Sequence, residues 1–108
     1  MAKNTLLSDK PEVLLGRFKA ELLRRKLGVE RMILFGSYAR GKIRDGSDLD
    51  VCVVSKQFGK NYLYEGMKLA VIAGRIDPMI EPHPMTPEDL EDPYSSIAQE
   101  IREHGIVI

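Results

Sequence analysis

The stretch "LFGSYARGKIRDGSDLDVCVV" occupies residues 34–54. It holds two Gly-Ser steps, Gly36-Ser37 and Gly46-Ser47, and then two aspartates one residue apart, Asp48 and Asp50. Its apolar ends predict strands over 31–35 and 49–54, and the unbroken "LDVCVV" run suggests a strand covered on both faces. Between them, "GSYARGKIR" starts with a turn and predicts a short helix. Residues two apart on a strand share a face, so Asp48 and Asp50 should project side by side while Leu49 and Val51 point into the core. Two such carboxylates repel each other, and burying them unpaired is costly.

A divalent cation would relieve that cost, and hard oxygen ligands suit Mg²⁺, which takes part of its shell from substrate phosphates. Upstream, Gly36-Ser37 offers backbone N–H groups and a hydroxyl to a phosphate, and Gly36 permits its close approach. Gly41 would bring the short helix close to the sheet. Arg40 and Arg44 lie near the same mouth, Arg40 with a guanidinium that matches phosphate geometry, and Ser47 would cap the loop leading into Asp48. Each half has an ordinary reading alone: a solvated loop with the strand starting at Val51, or a strand–turn–helix with two stray arginines. Together they are what transfer of a nucleotidyl group from a metal-bound triphosphate requires.

The rest of the chain supplies a frame. Residues 9–28 read as a first helix, with Val13, Leu14, Phe18, Leu22 and Leu23 at helical spacing, Asp9 as cap and Gly28 as stop. A further helix is predicted over 59–74, then a third strand over 75–85 that Pro78 and Pro82 assign to a sheet edge. Thr86 before Pro87 starts a capped segment, and Pro93 precedes a last helix with Ile97, Ile101 and Tyr94 as its apolar stripe. "IVI" closes as a short strand. The expected fold is α/β (α+β), a small mixed sheet flanked by helices, in a single domain over 1–108.

The 108 residues carry 16 Lys and Arg against 16 Asp and Glu, so the formal net charge is zero. That balance argues against a grip on duplex nucleic acid. The single cysteine, Cys52, fits a reducing compartment and a buried thiol. No stretch is apolar and long enough for a signal core or a membrane span, and a cytoplasmic protein is expected. The two histidines, His83 and His104, have no zinc-site spacing; His83, between Pro82 and Pro84, reads as a loop residue lining the acceptor side. Tyr62 and Tyr64 need no explanation beyond a partly exposed helix face.

The segment "GSYARGKIRDGSDLD", residues 36–50, resembles the signature of the nucleotidyltransferase superfamily that includes DNA polymerase β, kanamycin nucleotidyltransferase and the minimal nucleotidyltransferases. Gly36, Ser37, Gly41, Ser47, Asp48 and Asp50 match its pattern, and chain length and element order resemble the minimal members nearly throughout. The resemblance implies that Gly36 and Ser37 hold the outer phosphates of a nucleoside triphosphate, ATP being the expected one. Asp48 and Asp50 would carry two Mg²⁺ ions. A third carboxylate from a later strand would help hold the ion that activates an acceptor hydroxyl. Asp77 is favoured for it, with Glu81, two turns of the strand's alternation further on, in reserve.

The resemblance also implies an incomplete substrate clasp, to be completed by a homodimer partner or by a small helical HEPN-type protein, itself a potential acceptor. The competing reading is a non-catalytic, antitoxin-like or structural module that keeps the fold and masks a partner. Whether Asp77 lies within metal-sharing distance of Asp48 and Asp50 separates the two. Antibiotic modification is a weaker third reading.

Overall fold

A computed structural model describes residues 7–44 and 46–108. The elements in chain order are α1 (Pro11–Arg24), β1 (Arg31–Phe35), α2 (Ser37–Arg40), β2 (Leu49–Val54), α3 (Tyr62–Ile76), β3 (Ile80–Met85), α4 (Pro87–Leu90), α5 (Ser96–His104) and β4 (Ile106–Val107). The strands form one sheet in the order β3-β2-β1-β4. β1 is antiparallel to both β2 and β4, while β2 and β3 run parallel. This is the small mixed sheet between helices that the sequence predicts.

Alternation along β2 explains why its apolar run is unbroken. Leu49, Val51 and Val53 join Leu14, Leu15, Phe18, Leu22, Leu69 and Ile72 in one core on the α1 and α3 side. Cys52 and Val54 join Ile33, Phe35, Met85, Leu90, Ala98 and Ile101 in a second core under α4 and α5. Both faces of the strand are covered, and each fully buried large side chain contributes about 1.5–3 kcal/mol relative to exposure. Burial pushes the Cys52 thiol up to about 12, so it is inert packing. Among the described residues no helix is long and apolar enough to cross a membrane.

Three features differ from the sequence expectation. α1 stops at Arg24, four residues before Gly28, because Lys26 takes a left-handed φ of 60°. The Lys26 N–H then donates to the Leu23 carbonyl and the Leu27 N–H to that of Leu22, the paired bonds of a Schellman ending with lysine where glycine is usual. Leu15 takes the buried place expected of Leu23, which is 52% exposed. In α5, Ala98 and Ile101 are buried, whereas Ile97 and, ahead of the helix, Tyr94 face outward.

The third difference matters most. α3 is capped by Asn61, whose side chain accepts from the Tyr64 N–H, and it runs on through Gly74 to Ile76. Residues 75–76, expected in the third strand, are therefore helical, and β3 begins only at Ile80. β3 is an edge strand, as its prolines require. Leu49 donates to the Met79 carbonyl and Ser55 to that of Met85, so odd positions of β3 face β2. Pro82 and Pro84 fall between them, and their missing N–H groups lie on the free edge.

Candidate functional site

The site is built at the end of the sheet where β1 stops. Gly36 caps α2 with φ 75° and ψ −151°, a region essentially reserved for glycine. Its neighbourhood gives a second reason for glycine: a Cβ there would lie 2.5 Å from Asp50 Oδ2. The turn therefore presses its backbone directly against the Asp50 carboxylate. Gly41 ends α2 in the left-handed region, φ 69°, with open space around it. Gly36→Ala is expected to cost about 1–3 kcal/mol from backbone conformation alone, and also to displace Asp50. Urea unfolding with a divalent-cation titration checks this: both the unfolding midpoint and the cation affinity should fall.

Asp50 is the second residue of β2, paired with Phe35 on β1 and directly opposite Glu81 on β3. Residues opposite one another in the ladder share a face, so the parallel register sets these two carboxylates side by side. Asp48 lies one residue outside the strand and is exposed, close enough to Glu81 to raise its pKa. His83 comes two residues after Glu81 on the same face. Its Nε2 stands 3.3 Å from Asp50 Oδ1, and its ring meets Phe35 edge-on with centroids 5.0 Å apart. One ligand atom from each of Asp50, Glu81 and His83 lies within 4.8 Å of the others. This donor set could hold a divalent cation.

The electrostatics point the same way. Glu81 is raised above the ordinary carboxyl value, first by loss of water at its carboxyl end, although the residue as a whole is exposed, then by Asp48 and the charge of Asp50. His83 opposes the shift. A carboxyl raised in the folded state binds more protons there than in the unfolded chain, so this site costs stability as pH climbs through the raised value. Added divalent cation should therefore raise the melting temperature more at a pH well above the ordinary carboxyl range than at one within it. Melting curves with and without the ion measure the difference.

Asp77 does not share this cluster. It is the C-terminal cap of α3, extended at φ −162°, and only 2% exposed. Its Oδ2 accepts from the Ser8 N–H at 2.8 Å and the Ser8 hydroxyl at 2.7 Å, and its Oδ1 from the Met79 N–H at 2.8 Å. Burial pushes its pKa up, but these three bonds outweigh it and hold the carboxyl below the usual value. The expectation that Asp77 occupies the third strand beside the pair is corrected: α3 runs two residues longer, and Glu81 stands opposite Asp50.

The remaining expected residues divide. Ser37 opens α2 beside Gly36. The Ser47 hydroxyl accepts from the Arg44 N–H at 2.8 Å, which closes the loop before Asp48. Arg40 reaches Glu100 of α5 at 3.4 Å. The Tyr62 hydroxyl donates to Asp89 beside the capping box of Thr86 and Asp89. Next to His83 a cleft of about 320 Å³ is lined by Tyr62, Pro84, Met85, Asp89 and Ser95 among others. His83, expected in a loop lining the acceptor side, stands instead in β3 beside Asp50. The signal was available in the Glu-x-His spacing, which puts both side chains on one face once β3 starts at Ile80.

Residues 15–108 match the family model of the nucleotidyltransferase domain. The chain belongs to that family. No curated protein matches it. Solved structures similar to this nucleotidyltransferase domain include a toxin-antitoxin with AMP-PNP, at TM-score 0.54 and 21% identity over 84% of this chain and 69% of that one. A second is tri-AMPylated Shewanella oneidensis HEPN toxin in complex with MNT antitoxin, at TM-score 0.53 and 18% identity over 91% of this chain and 71% of that one. A variant of the toxin-antitoxin MntA-HpeT aligns at TM-score 0.51 and 20% identity over 86% and 69%. These likenesses establish a shared fold.

Proposed function

We propose that this nucleotidyltransferase domain transfers a nucleoside monophosphate, AMP being the expected one, from a nucleoside triphosphate to a hydroxyl group on a partner protein. The α-phosphorus would leave the bridging oxygen of pyrophosphate and bond the acceptor oxygen, whose proton is given up. The observation that carries this reading is the register placing Glu81 opposite Asp50, with the Gly36 turn pressed against the same carboxylate.

In this reading Asp48, Asp50 and Glu81 hold Mg²⁺, which would neutralise phosphate charge and lower the pKa of the acceptor hydroxyl. The fit rests on the donors themselves: ligand atoms of Asp50, Glu81 and His83 converge, and loss of water, then Asp48 and the charge of Asp50, raise Glu81. The Gly36-Ser37 backbone would fix the outer phosphates and so the line of attack. Arg40, drawn toward Glu100 in the free protein, would turn to the triphosphate. Glu81, as the third carboxylate, would orient the acceptor oxygen, whose proton would pass to solvent. Ser47 would act through the loop it closes, keeping Asp48 in place.

A protein acceptor is supported by the company the fold keeps, since the similar structures are toxin–antitoxin complexes and one contains an AMPylated toxin. The non-catalytic alternative would gain from a missing third carboxylate, and the pairing of Glu81 with Asp50 in the ladder favours the catalytic reading over it. The test is to incubate the chain, Mg²⁺ and ATP labelled at the α-phosphate with the protein that co-purifies from the native host. Label should move to that protein with release of pyrophosphate, and γ-labelled ATP should transfer nothing. Equal labelling by Asp48→Asn would overturn the assignment.

A further inference from the structure

We infer that His83 is itself a metal ligand, and that it tilts this site toward first-row transition dications over Mg²⁺. The inference rests on the proposed metal-nucleotide site and adds a nitrogen donor to its carboxylates. His83 Nε2 already lies 3.3 Å from Asp50 Oδ1, and the ligand atoms of Asp50, Glu81 and His83 fall within 4.8 Å of one another. Ligands bonded to one ion at roughly 2.0–2.2 Å stand about 3 Å apart, so side-chain movements of up to about 1.8 Å close the set.

The imidazole is held for the task. Pro82 and Pro84 fix the backbone torsions on either side, and His83 sits in the β3 ladder opposite Cys52. The Phe35 ring edge, inclined at 62°, limits rotation about the side chain. A side chain needed only to fill the face over Cys52 would not require its nitrogen beside a carboxylate oxygen. Mg²⁺ demands near-octahedral oxygen donors, whereas imidazole raises affinity along the series from Mn²⁺ to Co²⁺ and beyond. One nitrogen among carboxylates would thus discriminate between ions that the acids alone bind similarly.

Two readouts, neither requiring turnover, test this. Pulsed electron paramagnetic resonance of the Mn²⁺-loaded wild-type protein should show a directly bonded ¹⁴N coupling that changes on ¹⁵N-histidine labelling. Calorimetry should show Co²⁺ affinity falling about tenfold or more in His83→Gln, the scale of losing one tuned ligand interaction, while Mg²⁺ affinity holds within about twofold. Asp50→Asn serves as the control for the site. If Mn²⁺ binds, Asp50→Asn abolishes binding and no nitrogen coupling appears, the inference is overturned and the carboxylate site stands. If neither ion binds the wild-type chain, both fall. The nitrogen measurement needs no variant, so it decides the matter even if His83→Gln folds poorly.

Discussion

Asp50→Asn is expected to lower nucleotidyl transfer by about a thousandfold or more, equivalent to roughly 4 kcal/mol of transition-state stabilisation. Asp50 is the centre of the arrangement: Gly36 packs against its Oδ2, His83 faces its Oδ1, and Glu81 is its partner in the ladder. The isosteric amide keeps the shape and removes the charge. Without bound cation, the variant should melt at the wild-type temperature or above it, because one source of repulsion around Glu81 is gone. Transfer assays paired with melting curves separate this from simple unfolding. An inactive variant that was also strongly destabilised would point to a structural role.

Asp77→Ala and Glu81→Gln should divide stability from ion binding. Asp77 accepts three hydrogen bonds from Ser8 and Met79, and it ties the segment before α1 to the end of α3. Removing it leaves those donors unsatisfied, at about 3 kcal/mol for a charged acceptor, or roughly 10–20 °C in melting temperature for a chain of this size. Because the folded carboxyl is held below its ordinary value, its contribution is present above the unfolded pKa and is lost as pH falls through the folded one. The wild-type protein should therefore lose stability in acid more steeply than Asp77→Ala. Glu81→Gln should behave oppositely: cation affinity falls about tenfold or more, about 1.4 kcal/mol, while the apo protein is no less stable. Denaturant melts across pH, together with cation titrations, measure both.

Much of this was legible in the chain. The strand–turn–helix–strand over 31–54 follows from apolar runs punctuated by Gly36 and Gly46, and the burial of β2 on both faces follows from its unbroken Leu49-to-Val54 run. The third carboxylate was not settled, for a physical reason. Arg75 and Ile76 suit the last turn of a helix as well as the start of a strand, and only the packing of α3 on the core decides between them. Extending the helix by two residues moves Asp77 from the strand into a cap and leaves Glu81 to meet Asp50. Register between parallel strands joined through a helix is a tertiary property. His83 shared that uncertainty, since Pro82 and Pro84 beside it suit a loop as well as an edge strand.

The most direct test of the central claim is calorimetric binding of a non-hydrolysable ATP analogue with Mg²⁺ to the wild-type chain, to Glu81→Gln and to Asp77→Asn. The arrangement of Gly36, Asp48, Asp50 and Glu81 predicts cation-dependent nucleotide binding that Glu81→Gln weakens sharply and Asp77→Asn leaves within about twofold, a difference well under 1 kcal/mol. Nucleotide binding indifferent to the cation, or lost with Asp77 and kept without Glu81, would contradict it.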